Sequence, residues 1–180
     1  MPRWTRFLDA RLLWCLRFWL YKPFAGHLAG NGYLGPPSFV KGLGDLHAGP
    51  GLGVFPGWRI EIIGGRVDIG RNVRIGNNLL LNCGCNVVIG DDVTLSANVF
   101  IGTTDFVIGN DLSKSFRDWE TVEKPVTIGA GSFLGFGSVI LPGTVLGPGC
   151  VVGANAVVRG EFAAGSVIAG DRAKCIRMRA

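Results

Sequence analysis

The sequence predicts an all-β fold, a parallel β-helix of triangular coils, on three observations. Glycine is abundant and charge is scarce: 29 Gly in 180 residues, with 17% charged and 48% hydrophobic residues. Aliphatic residues recur every six positions through the second half of the chain. That period matches neither the 3.6 of a helix nor the alternation of a half-buried strand. The same composition excludes whole classes. Disordered chains are poor in apolar residues and rich in charge. Collagen needs a strict three-residue glycine period. Long helices tolerate glycine badly, at about 1 kcal/mol per position.

The chain divides into 1–25, an amphipathic N-terminal segment; 26–57, an irregular region rich in Gly and Pro; 58–168, the β-helix with a protruding loop at 103–125; and 169–180, a basic tail. In the first segment Arg3, Arg6, Asp9 and Arg17 project to one side of a helical wheel. Trp4, Leu8, Leu12, Cys15 and Trp19 project to the other. Its longest uncharged run, Leu12–Leu16, is far short of the ~20 apolar residues that span a bilayer. No small-residue cleavage site follows, so a secretory signal is not expected. Two uses remain open for residues 3–22: peripheral contact with a membrane surface, or packing against the rest of the protein.

The hexads run Ile63, Ile69, Ile75, Leu81, then Ile89, Leu95, Ile101, then Ile128, Leu134, Ile140, Leu146, Val152 and Val158. Glycine follows nine of these thirteen residues. A six-residue unit makes one short strand and one corner. Three units close a triangle, and triangles stack at the ~4.8 Å strand spacing. The aliphatic residue fills the prism, and Gly, Asn or Asp occupies corners that need a positive φ. The loop is polar and charged, with Phe106, Phe116 and Trp119. Insertions in such solenoids project from one face, often the binding face.

The formal net charge is +5, concentrated at the two ends, with a slightly acidic body. No basic stripe with interleaved aromatics runs along the body, so a nucleic-acid partner is not expected. Five cysteines without a CxxC pair, and two histidines (His27, His47), do not make a zinc site. They suit small core residues in a reducing compartment. No metal is expected.

The hexads, with EKPVTIGAGSFLGFGSVILPGTVLGPGCVVGANAVV and the ending GSVIAGDRAKCIR, resemble the left-handed β-helix hexapeptide-repeat acyltransferases over about residues 57–178. The likeness is nearest to sugar O-acetyltransferases of the maltose, galactoside and colanic-acid type. It implies a left-handed coil, a homotrimer with sites in clefts between adjacent helices, acetyl-CoA as donor and a sugar hydroxyl as acceptor. It implies a role in surface polysaccharide biosynthesis, in the cytoplasm or at the inner face of the membrane.

Residue by residue, the resemblance places Phe133 and Ala154 along the CoA thioester. It gives Arg159, Lys174 and Arg177 a cationic role toward CoA, and Asn82 a hold on the carbohydrate acceptor. The family's catalytic His is missing: Thr104 and Phe106 stand at its positions, and no His lies between 48 and 180. Asp105 is the ionisable residue there, and it interrupts an apolar column. An unperturbed carboxylate with a pKa near 4 is a weak base for a hydroxyl, so burial in the subunit cleft would have to raise it. His47, reaching in from the N-terminal region, is the other candidate base. With the family His lost, two other functions also stand: a catalytically impaired trimeric scaffold or binding module, and a related transferase of another acyl group or onto an amine. A gamma-type carbonic anhydrase, which shares the fold, needs three zinc-binding His and is excluded.

Overall fold

The computed structural model describes residues 11–107, 115–170 and 174–178. About seven turns of left-handed β-helix form a three-sided prism. The first sheet stacks His27–Leu28, Leu46–Ala48, Val67–Ile69, Val87–Ile89, Val126–Ile128, Val145–Leu146 and Glu161–Phe162. The second stacks Tyr33–Leu34, Gly53–Val54, Arg74–Ile75, Thr94–Leu95, Phe133–Leu134, Val151–Val152 and Ser166–Ala169, and ends on the antiparallel strand Lys174–Met178. The third stacks Phe39–Lys41, Arg59–Ile62, Leu80–Cys83, Phe100–Gly102, Val139–Ile140 and Val157–Val158.

Two buried columns hold the prism together. One carries the aliphatic residues of the hexads, such as Ile75, Leu95, Leu134 and Val152, stacked in register. The other, two residues earlier in each unit, changes from large residues (Leu52, Trp58, Leu79) to small ones (Ser132, Ser138, Cys150, Ala156) toward the C-terminus. The corners are held by side-chain ladders. Asn78 and Asn98 both take a left-handed φ, which asparagine tolerates better than most residues. Asn78 Nδ2 donates to Asn98 Oδ1 at 2.9 Å, so the two corners lock together.

The region 26–57 is not irregular: its five short strands supply the first turn and most of the second. Its buried column is Leu28, Leu34, Val40, Ala48 and Val54, with Val40 only partly buried. The β-helix therefore begins near residue 27 rather than 58. The hexad phase at Ile63 also needs correction. Ile60 stacks on Leu81, while Ile63 is 70% exposed.

Every extra residue before Ile128 falls at one corner, between the third and first sheets. The column steps there from Val40 to Ala48, Ile60 to Ile69, Leu81 to Ile89 and Ile101 to Ile128, where six residues suffice elsewhere. The extensions stack into a thickened edge. The last is the predicted loop, whose base is an antiparallel pair, Thr104–Phe106 with Thr121–Glu123. Gly84 lets that hairpin sit down: a Cβ there would meet Thr104 Oγ1 at 2.5 Å and Glu123 Oε1 at 2.6 Å.

The helix Arg11–Tyr21 packs on the first turns. Phe18 is fully buried, Trp14 meets Tyr33 and Phe55, and Tyr21 meets Trp58 edge-on. The expected polar side is not the outward one. Arg17 turns inward and its guanidinium donates to the Leu34 carbonyl at 2.9 Å. Arg3, Arg6 and Asp9 lie outside the described residues.

Candidate functional site

The thickened edge carries two adjoining hollows, separated by Phe106 at the foot of the hairpin. The larger, about 340 Å³, is lined by Glu61, Asn82, Cys83, Phe100, Thr104 and Phe106 among others. Glu61 and Asn82 stack in register on the outer face of the third sheet, with Gly102 above them. Strand alternation dictates this: Ile60, Ile62, Leu81 and Cys83 point into the prism, so Glu61 and Asn82 must point out. Asn82 Oδ1 is buried without a hydrogen-bond partner. A buried unpaired carbonyl costs free energy, so this atom is suited to a ligand's donor. Glu61 pairs with Arg59.

Cys83 lies at the floor of this hollow. Burial, reinforced by the neighbouring Cys85, Asp45 and Glu123, pushes its thiol up to about 11. It stays protonated at neutral pH and is no nucleophile. Thr103, fully buried, accepts from the backbone N–H of Gly84 and Cys85 at 2.8 and 3.2 Å. These bonds fix the turn that shapes the hollow.

The smaller hollow, about 190 Å³, is lined by Asp105, Phe106, Val107, Val122, Lys124, Pro142 and Arg159. Asp105 Oδ2 accepts from Arg159 Nη2 at 2.5 Å, across 54 residues of sequence. Within the single chain the Asp105 carboxyl is shifted down, not up. The Arg159 hydrogen bond, ahead of slight desolvation and aided by the Phe106 N–H, holds this carboxyl below the usual range. The side chain is 44% exposed, so water screens the pair and its contribution is small.

The sign of the linkage is definite. A carboxylate whose folded pKa is depressed stabilises the fold above its unfolded pKa and loses that contribution as pH falls through the folded value. An NMR titration of the Asp105 carboxyl should give a midpoint below the ordinary ~3.9. Arg159→Gln should move the midpoint up. A wild-type midpoint well above 4 would restore Asp105 as a candidate base.

The other sequence-predicted residues fall into groups. Phe133 stands exposed on the outer face of the second sheet, in the column that continues through Val151 and Val167 to Arg177. Lys174 pairs in register with Ala169 on the same face. Ala154 lies at that sheet's edge, in the corner after Val152, where Gly135 admits it: a Cβ on Gly135 would come within 2.6 Å of the Ala154 amide. Phe133, Ala154, Lys174 and Arg177 thus share one region, and Arg159 does not join them. Within the chain it is held by Asp105 at another corner.

His47 sits on the outer face of the first sheet between His27 and Asp68, and it lines neither hollow. The structure does not bring it to Asn82 or Asp105. Glu61 was not singled out in the sequence; its alignment with Asn82 emerges only from the strand register. Among the described residues no group of three His, Cys, Asp or Glu side chains is placed to hold a metal.

Residues 125–160 match the family model described as bacterial transferase hexapeptide (six repeats). Residues 66–103 match the hexapeptide repeat of succinyl-transferase. No curated protein matches the chain. Among solved structures, a mutant of AntD, an N-acyltransferase from Bacillus cereus in complex with dTDP and coenzyme A, is similar with a TM-score of 0.76. It is 18% identical, over 89% of this chain and 88% of its own. The hexapeptide-repeat-containing acetyltransferase VCA0836 from Vibrio cholerae O1 biovar eltor, complexed with acetyl coenzyme A, gives a TM-score of 0.64 and 23% identity. That match covers 91% of this chain and 76% of the other. At these identities the likeness is one of fold.

Proposed function

The chain belongs to the hexapeptide-repeat proteins of the left-handed β-helix family, and on that premise we propose that it moves an acyl group from a CoA thioester to a carbohydrate acceptor. The observation that carries this is the division of its surface. Phe133, Ala154, Lys174 and Arg177 form an apolar strip with cations at one end, suited to a pantetheine chain and phosphates. Glu61 and the unpartnered Asn82 Oδ1 face a separate hollow, suited to the many donors of a sugar. The two lie on different sheets of one prism. In the homotrimer that the sequence resemblance implies, one chain's strip would face the next chain's hollow across a cleft between subunits. Exposed Phe39, Phe133, Phe136 and Val145 offer apolar surface for that contact.

The donor in this proposal is acetyl-CoA, and the product belongs to surface polysaccharide biosynthesis, as the sequence resemblance implies. The nucleophile has two readings. A sugar hydroxyl, the acceptor that the resemblance implies, needs a base as its oxygen attacks the thioester carbonyl. The two carboxylates that line the hollows, Glu61 and Asp105, are engaged by arginines, and His27 and His47 line neither. This favours the second reading, an aminosugar. A free amine attacks without a strong base, the C–N bond forms, the C–S bond breaks, and the proton lost by nitrogen ends on the departing sulfur or in water. The AntD structures include a complex with dTDP-4-amino-4,6-dideoxyglucose, which supports testing such an acceptor.

The two readings separate by product chemistry. Incubation with acetyl-CoA and paired amino and hydroxy sugar nucleotides should yield an amide that survives alkaline hydroxylamine. A product cleaved by hydroxylamine is an ester and returns the acceptor to the hydroxyl.

A further inference from the structure

The helix Arg11–Tyr21 buries one stripe, Trp14, Arg17, Phe18 and Tyr21, and among the described residues the opposite stripe has no partner. Leu12, Leu13, Leu16, Trp19 and Leu20 are 54–74% exposed, and Phe24 just beyond is 73% exposed. Side chains of this kind are ordinarily exposed one at a time; six together on one short element mark an interaction surface. The face continues into a hollow of about 390 Å³ lined by Leu20, Tyr21, Phe24 and Leu43.

The charge around the face is of one sign. Arg17 aside, which turns inward, residues 11–26 contain Arg11 and Lys22 and no acidic residue, and upstream Arg3 and Arg6 outnumber Asp9. Arg11 stands at one end of the face and Lys22 at the other. Lys22 Nζ lies 4.6 Å from the centre of the exposed Trp19 ring. Leucines flanked by tryptophan and cations are what the boundary between headgroups and acyl chains selects. No described helix is long and apolar enough to cross a membrane, so the helix would lie along a surface. A second copy of this chain is a poorer occupant, because a two-fold contact would set Arg11 and Lys22 against their own counterparts.

We propose that the outer face of this helix, with Phe24, is a docking surface for an anionic lipid bilayer. The leucines and Trp19 enter the acyl boundary, and the cations meet lipid phosphates. This does not depend on the transferase reading. If the acceptor is lipid-linked, the same contact would hold the prism beside its substrate.

The test uses the full chain and vesicles of phosphatidylcholine, with or without phosphatidylglycerol. With phosphatidylglycerol, the protein should sediment with the vesicles and its tryptophan emission should shift to the blue. Binding should weaken as salt rises. The double variant Leu16→Glu/Leu20→Glu should bind roughly a hundredfold more weakly. Both leucines are more than half exposed, so its melting temperature should match the wild type. Three results would overturn the proposal: no binding by the intact protein at low salt, equal binding to phosphatidylcholine alone, or unchanged binding by the double variant. Light scattering that shows a larger wild-type assembly, dissolved by the double variant, would reassign the face to copy–copy contact.

Discussion

Trp58→Ala is expected to destabilise the protein by about 3–5 kcal/mol, in the range for truncating a buried aromatic. Trp58 is 1% exposed, in the second turn. Its indole Nε1 donates to the buried Gly35 carbonyl at 2.7 Å, and its ring meets Tyr21 edge-on. Removal opens a cavity, leaves the Gly35 carbonyl unpaired and takes away one of the ring contacts that hold the helix on the prism. Chemical denaturation would measure the loss. Leu13→Ala, at an exposed site on the same helix, should change stability by less than about 0.5 kcal/mol. Equal effects from the two would mean that the first two turns and the helix contribute little to the cooperative fold.

The second large effect is expected at Glu61. In the proposed site its carboxylate and Asn82 Oδ1 receive the acceptor's donors. Removing a charged hydrogen-bond partner costs about 1.5–3 kcal/mol. Glu61→Gln should therefore lower kcat/KM for the acceptor by roughly 10–100-fold and leave the KM for acyl-CoA unchanged. Arg59, left without its partner, is 46% exposed and can be hydrated, so the fold should survive. Asp105→Asn should cost less than about fivefold, because an exposed ion pair is worth at most ~1 kcal/mol. Steady-state kinetics on both variants decides between the two carboxylates. A loss of 10²–10⁴-fold in Asp105→Asn alone would be the mark of a general base and would move the chemistry to the smaller hollow.

What was legible in the sequence, and what was not, follows the regularity of the repeat. From Ile69 to Val158 the buried column is Ile, Leu or Val throughout, six apart within each unbroken run, and the β-helix there was predictable. The first two turns escaped because their column includes Ala48, and because extensions after Val40 and after Ile60 shift the phase twice. Their Gly- and Pro-rich corners then resembled irregular chain. The same phase shift hid Glu61, whose alignment with Asn82 depends on pairing Ile60, not Ile63, with the later turns.

Contacts distant in sequence were not legible at all. Asp105 stood out as a break in an apolar column, but nothing local announces Arg159 as its partner. The wheel for the first helix grouped Arg17 with the solvent side. A carbonyl left over at the edge of the first turn, Leu34, drew it inward, and the apolar stripe faced outward. The hairpin at Thr104–Phe106 was legible as an interruption, since polar and charged residues replaced the hexads. Its consequence was not: together with three shorter extensions at the same corner, it builds the walls of the candidate site.

The central claim is that this chain carries an acyl group from CoA to a carbohydrate. Release of the CoA thiol from acetyl-CoA, followed with a thiol reagent while amino and hydroxy sugar nucleotides are added one at a time, tests it most directly. The account predicts slow release without acceptor and a saturable increase with a sugar acceptor, matched mole for mole by acetylated product. It predicts that Glu61→Gln suppresses this increase. Tight binding of CoA with no acceptor-dependent thiol release would contradict the account and identify the protein as a β-helix that binds without catalysing.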